Sequence, residues 1–309
     1  VAVFLPNILI LYLFISLMED SGYMARAAFI MDKVMHLAGL HGKSFIPLVM
    51  GFGCNVPAIM ATRTIESRSS RLITILINPF ISCSARLPVY ILLAGTFFSK
   101  NAGLVLFGLY LFGCLMAFLT ARILRRFLFG KDETPFVMEL PPYRVPTLKA
   151  TLRHMWERSE QYLRKIGGMI LVAAVIIWFL SYYPRPEGDV EMCATTHSEN
   201  SYLGRIGKFC EPAMKPLGLD WRASVAMLSG AAAKEIVVST LGVLYAVDDV
   251  ENNGATLQQH LISSGNYSRA AALAMMIFVL LYFPCIATIG AIAQETGGWR
   301  WALFSVVYN

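Results

Sequence analysis

Gly51-Phe52-Gly53-Cys54-Asn55-Val56-Pro57-Ala58-Ile59, followed by Thr62-Arg63-Thr64-Ile65-Glu66 and by Asn78-Pro79-Phe80-Ile81-Ser82-Cys83-Ser84-Ala85-Arg86-Leu87-Pro88, is enclosed on both sides by long apolar runs. Two glycines, three prolines and two cysteines fall between Gly51 and Pro88. In a soluble protein that mixture would be a loop. Inside a bilayer, non-helical backbone is tolerated only where protein or a water-lined cavity covers it, so broken helices at membrane depth mark candidate solute paths.

Composition places the stretch in a membrane. Of 309 residues, 56% are hydrophobic and 15% charged, with a mean hydropathy of +0.57, well to the apolar side of globular usage. The net charge of +6 does not signal a nucleic-acid partner, because the basic residues cluster between apolar spans, where positive-inside topology puts them. The six cysteines form no disulfide framework, since Cys54, Cys83 and Cys285 sit in apolar surroundings beside Pro or Ser. The start at Val1, with no charged n-region and no cleavage site, and the end at Asn309 both read as cuts, which predicts the membrane portion of a longer protein.

Residues 1–44 read as a first span, apolar over 3–18, and a short amphipathic helix over 26–37 lying in the interface. Residues 45–98 form a region of broken helices, with half-helices meeting at Gly53 to Pro57 and a second broken element over 71–98. Residues 99–183 hold two spans, over 102–121 and 166–182, joined by the linker 122–165. With ten basic and five acidic residues from Arg122 to Lys165, this linker should face the cytoplasm and contain an amphipathic helix over 147–163. Trp178, Tyr182 and Tyr183 read as an interfacial belt. The segment 184–222 belongs outside, where Cys193 and Cys210 either form a disulfide or stay as two thiols. Residues 223–293 form a second interrupted region, with breaks at Ser229-Gly230, Lys234-Glu235 and Tyr282 to Thr288. Residues 294–309 turn the chain into a further span. A Cys or Pro-centred break followed by a Glu occurs twice, at Cys54-Pro57-Glu66 and at Pro284-Cys285-Glu295, an echo of the paired discontinuous helices of transporters.

Chemistry at these breaks comes from thiols and freed carbonyls. Pro57, Pro79, Pro88 and Pro284 remove backbone donors, and thiolates favour soft or borderline divalent metals. Cys54 and Cys285 are the first ligand candidates and Cys83 the third, with Asn55, Ser82 and Ser84 beside them; a buried free cysteine is also an ordinary small hydrophobe. Ionisable groups within spans face a pathway or a partner. Glu66 and Glu235 are therefore candidate ligands. Arg86 is expected to line the path or pair with Glu66, and Lys234 to snorkel away or balance the site. Glu19, Asp20 and Glu295 read first as interfacial residues, with Glu295 kept among the path residues because it follows the second break. No HExxH, phosphate-binding glycine loop or dinucleotide fingerprint is present, and no nucleophilic pair lies within the spans, so an enzyme is not expected in this chain.

The run from Leu17 to Tyr90, with Glu19-Asp20-Ser21-Gly22-Tyr23-Met24-Ala25-Arg26, Gly53-Cys54-Asn55-Val56-Pro57 and Ser82-Cys83-Ser84-Ala85-Arg86-Leu87-Pro88-Val89-Tyr90, closely resembles the membrane region of the bacterial ferrous iron transport protein B family. The resemblance continues through Glu139-Leu140-Pro141, Ser229-Gly230, Lys234-Glu235, Pro284-Cys285 and Glu295-Thr296-Gly297, over essentially the whole chain. It implies an all-α polytopic membrane protein, a helical bundle with two discontinuous gate-type regions, roughly 45 to 95 and 225 to 290, in an inverted-repeat arrangement. It also implies Fe(II) transport across the bacterial inner membrane, with gate cysteines at Cys54 and Cys285. GTP and Mg would act only through an N-terminal GTP-binding domain lying outside this chain. The implied partners are that domain, the lipid bilayer and small cytoplasmic proteins of the same uptake system, with homo-oligomerisation left open. Ser69-Ser70-Arg71 departs from the family pattern, in which an acidic residue precedes the arginine, and this weakens the expectation of a charge pair there. The competing readings are a nucleoside or organic-solute carrier and a membrane-anchored scaffold that carries no flux.

Overall fold

The described residues of the computed structural model are 4–128, 146–183, 201–246 and 268–309. Among them all regular structure is helical. In chain order the helices are α1 (Phe4–Asp20), α2 (Tyr23–Leu37), α3 (Phe45–Gly53), α4 (Asn55–Ala61), α5 (Arg68–Ile77), α6 (Leu87–Phe97), α7 (Ala102–Phe127), α8 (Leu148–Tyr182), α9 (Tyr202–Met214), α10 (Trp221–Ser229), α11 (Ile236–Ala246), α12 (Arg269–Leu281), α13 (Ile286–Thr296) and α14 (Trp299–Tyr308).

Local chemistry sets the helix ends. The side chains of Ser67, Ser201, Asp220 and Ser268 accept from the backbone N–H groups of Ser70, Gly204, Ala223 and Ala271, capping α5, α9, α10 and α12; each cap satisfies an orphan donor. Helix α2 ends in a Schellman arrangement, in which Gly39 N–H reaches His36 O and Leu40 N–H reaches Met35 O. Gly39 holds a φ of 74° there, the left-handed conformation that a glycine adopts without a Cβ penalty.

Among the described residues three stretches are long and apolar enough to cross a membrane: Arg68–Phe97, Ala102–Phe127 and Arg269–Thr296. A fourth is formed if the two arms of α8 are one span. The chain is thus a multi-pass membrane protein. Helix α8 corrects the separation expected between 147–163 and 166–182: one helix covers both, bent by 43° between Leu148–Arg164 and Gly167–Leu180. No proline lies between them, so every backbone donor remains available and Gly167-Gly168 weakens the helix without ending it. The expected outer segment also folds in its second half, as α9 and the turn Lys215–Leu217, started by the Ser201 cap. Cys193 and the Cys210 side chain lie outside what is described, and with them the expected disulfide.

The chain divides into two compact units. The first comprises residues 1–84, 112–171 and 287–309. Its core includes Ile15, Met24, Met50 and Ala58, packed by Leu11, Met18, Ile46 and Ala61. The Tyr308 hydroxyl donates to Leu76 O, and its ring meets Phe80 edge-on at 5.7 Å, tying α14 to α5. The second unit comprises residues 85–111 and 172–286. Its core includes Tyr90, Leu93, Leu241, Met275, Met276 and Val279. Because lipid is as apolar as these side chains, their contacts hold helices together by close packing rather than by escape from water.

Candidate functional site

In the first unit the broken helix turns on one residue. Cys54 is extended, with φ −153° and ψ 132°, between the end of α3 at Gly53 and the start of α4 at Asn55. Pro57 falls in the first turn of α4, where its missing N–H is no loss. The break frees the carbonyls just before it, and the segment Asn78–Ser84 supplies donors. Ser84 Oγ donates to Gly53 O at 2.8 Å, and Asn78 Nδ2 donates to Asn55 O at 3.2 Å. Helix α1 closes on the same point, since a Cβ on Gly53 would lie 2.6 Å from Leu11 Cδ1. Cys54 is half-buried and Cys83 buried, neither of them in a disulfide. Asn55 and Ser82 are buried.

A cavity of about 420 Å³ adjoins this break, with Tyr12, Met50 and Pro57 in its wall and Glu19, Arg63 and Arg158 among its charged lining. Arg158 Nη2 pairs with Glu19 at 3.0 Å. Neighbouring Asp20 meets His154 Nδ1 at 3.3 Å. The first unit therefore sets a thiol and an unwound backbone next to a chamber whose wall mixes methionine and other apolar side chains with charged ones.

Glu66 lies away from this chamber. Its side chain is 75% exposed and takes Lys43 Nζ at 2.6 Å; that hydrogen bond and the lysine charge hold its carboxyl below the usual glutamate range. Glu295, in contrast, is enclosed by the protein. Its side chain is only 4% exposed, where Arg63 Nε donates to Oε2 at 2.8 Å and Arg63 Nη2 donates to Oε1. Arg71 Nη2 reaches Oε2 at 3.0 Å and the Glu295 carbonyl at 3.2 Å. The departure at Ser69-Ser70-Arg71 thus costs no charge pair, because the acidic partner comes from far along the chain. Ser69 itself accepts from Arg125 Nη1 at 3.1 Å.

In the second unit two breaks interlock. Residues 230–235 separate α10 from α11, and residues 282–285 separate α12 from α13. Ile286 N–H donates to Ala231 O at 3.0 Å. Lys234 corrects the snorkelling expectation: it is 3% exposed, its Nζ donates to Phe283 O at 2.8 Å, and it stands 3.1 Å from the centroid of the Tyr282 ring. The carbonyl loosened ahead of Pro284 and the ring face beside it offer an ammonium better partners than a route to water would. Glu235 is half-buried, and so is Cys285, which is in no disulfide. Arg86, 1% exposed, and Pro88 stand at the start of α6 in this unit.

Among the described residues no group of three or more His, Cys, Asp and Glu side chains could hold a metal ion. What each unit offers is a cysteine on unwound backbone, Cys54 in the first and Cys285 in the second. Sequence reasoning did not single out Lys43 and Tyr282 as partners, Arg63 and Arg71 as holders of Glu295, or Asn78 as a contact of the first break. These pairings join residues 23 to 232 positions apart.

The family described as Gate, nucleoside recognition, matches residues 1–97 and 163–299, and the family described as ferrous iron transport protein B C terminus matches 106–158. Among curated proteins, the chain is 56% identical, over its whole length and 41% of the relative, to an Fe(2+) transport protein A/Fe(2+) transporter FeoB fusion protein of Porphyromonas gingivalis. It is 45% identical to Fe(2+) transporter FeoB of Staphylococcus aureus, covering all of the chain and 45% of that protein. The Fe(2+) transporter FeoB of Methanocaldococcus jannaschii is 46% identical, with the same shares covered. The chain thus spans less than half the length of these relatives. No solved structure matches it.

Proposed function

The chain belongs to the Gate family, as the membrane region found in FeoB transporters, and on that premise we propose that it forms the path by which Fe(II) crosses the inner membrane into the cytoplasm. The observation that carries this reading is the extended Cys54 between α3 and α4, a thiol on unwound backbone near a chamber lined by apolar and charged side chains. Fe(II) as substrate would exchange water for a thiol or thiolate at Cys54, and for carbonyl or carboxylate oxygen further along. Cys285 and Glu235 would play the same parts in the second unit. Borderline Fe(II) accepts both donor types.

A further domain linked to this chain is supported by the extra length of the relatives; that it lies N-terminal, binds GTP and Mg and couples to transport is part of the proposal. A small cytoplasmic protein of the same uptake system as a partner is supported by the Porphyromonas gingivalis relative, whose name joins Fe(2+) transport protein A to the transporter. The test is anaerobic Fe(II) uptake into proteoliposomes holding the full-length protein, with and without GTP. GTP-stimulated uptake that falls in Cys54→Ser and Cys285→Ser is the expected result; native protein that carries no Fe(II) would overturn the reading. The Gate description names nucleoside recognition, so the second reading is a nucleoside or organic-solute carrier. Uptake of a labelled nucleoside, uncompeted by Fe(II), would establish that reading instead.

A further inference from the structure

The C-terminal end of α7 exposes apolar side chains and cations together. Leu115, Leu119, Ile123 and Phe127 are exposed at intervals of four residues, which places them along one face of the helix. Arg122 and Arg126, also exposed, stand beside the last two. No acidic residue lies anywhere in α7. Helix α2 ends against this point. Arg122 Nη1 donates to Leu37 O at 3.0 Å, satisfying a carbonyl of the last turn of α2, and a Cβ on Gly39 would lie 2.8 Å from Arg125 Cγ. Along α2, Ile30, Lys33, Val34 and Leu37 are exposed at i, i+3, i+4 and i+7, again one face. Lys33 thus stands within an apolar stripe, one helical turn from the carbonyl that Arg122 holds. All of these residues belong to the first unit.

Lys33 and Arg126 have no acidic partner among the described residues; Asp32, next to Lys33 in the chain, faces His36 at 3.4 Å. Arg122 spends one N–H on Leu37 out of the five that a guanidinium carries. Helix α7 is long and apolar enough to span the bilayer, so the arginines at its end lie in the headgroup layer while the stripe above them lies among acyl chains. One kind of molecule matches both parts. We propose that α2 and the C-terminal end of α7 form a binding site for one anionic phospholipid, its phosphate met by Lys33, Arg122 and Arg126 and its acyl chains laid along Leu119, Ile123 and Leu37. Basic side chains between helices at a membrane face recognise such headgroups. A zwitterionic lipid brings an ammonium group to the same three cations and gains less. The site stands apart from the transport reading, since it needs only a bilayer around the chain.

Native mass spectrometry tests the site on delipidated full-length protein in a neutral detergent, titrated with phosphatidylglycerol or with phosphatidylcholine. The species carrying a single lipid gives the affinity for the first molecule bound. Native protein should take its first phosphatidylglycerol at least fivefold more tightly than its first phosphatidylcholine. Lys33→Gln/Arg126→Gln should cut that preference at least threefold with the apparent Tm unchanged, because neither side chain loses a partner among the described residues. Lys149→Gln/Arg153→Gln removes the same charge from the exposed face of α8 and should leave the preference at the native level. An equal drop in both double variants overturns the site and reduces the preference to unspecific surface charge. A native preference retained in Lys33→Gln/Arg126→Gln overturns it as well, and no preference in native protein does the same, leaving these cations to an acidic soluble partner.

Discussion

Lys234 places its ammonium 2.8 Å from the carbonyl oxygen of Phe283, so a tethered cation occupies the acceptor that the second helix break sets free. The same nitrogen rests on the face of the Tyr282 ring. Replacing Lys234 by Met removes the charge and leaves the carbonyl without this donor at a cost of about 1–3 kcal/mol. We expect Lys234→Met to lower the apparent Tm of the full-length protein in detergent and to reduce Fe(II) uptake at least fivefold. Tyr282→Leu should lower the Tm as well, and the pair should be non-additive by about 1 kcal/mol, since either change alone removes the cation–π contact. Strict additivity would show that the ring and the ammonium do not cooperate.

Glu295 holds two guanidinium groups with one buried carboxylate, the half-exposed Arg63 and the more enclosed Arg71. Glu295→Gln leaves both arginines without their counter-charge; we expect a loss of roughly 2–4 kcal/mol, below the upper range for fully buried pairs because both arginines keep contact with water. Arg63→Gln should cost more than Arg71→Gln, because Arg63 grips both carboxylate oxygens and Arg71 only one. A double-mutant cycle on apparent unfolding free energy measures each coupling. Equal and negligible couplings would reduce the network to ornament.

The helix breaks were legible because proline, glycine and cysteine punctuate apolar runs that would otherwise continue. Gly53 to Pro57 could be read as a junction of half-helices from donors removed and conformations allowed, both local properties. Partners were not legible. The fate of Lys234 depends on a carbonyl 49 residues away, and its own helix left both a snorkelling route to water and a charge-balancing role open. Glu295 read first as an interfacial residue, and its partners Arg63 and Arg71 lie 232 and 224 residues from it. Asn78 carried no signal of its own beside Pro79, because its contact with the Asn55 carbonyl forms only when segments 23 residues apart pack together.

His41 gives the first unit a predictable pH dependence. Its Nδ1 accepts from Lys43 N–H at 3.2 Å, which requires the neutral ring, and burial followed by the charge of Lys43 holds its pKa below the ordinary 6.5. The unfolded chain therefore takes up a proton near pH 6.5 that the folded protein refuses; stability is full above that pH and declines as pH falls toward the folded value. Glu66 acts in a lower window, because its depressed carboxyl keeps its contribution until pH drops below the ordinary 4.5. His41→Asn retains an acceptor for Lys43 N–H without titrating. Its apparent Tm should fall less than that of the native protein between pH 8 and 5.5, and an identical fall would assign the effect to another group.

Gly51 and Gly103 both lie in apolar helices, yet alanine should act oppositely at the two positions. At Gly103 a Cβ meets nothing within 4 Å, so Gly103→Ala should gain up to about 1 kcal/mol from helix propensity and leave Fe(II) uptake unchanged. At Gly51 a Cβ would stand 2.6 Å from Asn78 Oδ1 and 3.2 Å from Ile81 Cγ2, and neither neighbour can withdraw freely. Asn78 is held by its bond to the Asn55 carbonyl, and Ile81 N–H is held by Asn78 O. Overpacking of this kind costs about 1–3 kcal/mol, and relief must come from pushing Asn78 away from the break. Gly51→Ala should therefore lower both apparent Tm and Fe(II) uptake. Adding Asn78→Ala to it should recover part of the Tm, because the clash is removed, but none of the uptake, because the amide is lost as well. Recovery of both together would mean that Asn78 serves only to fill space.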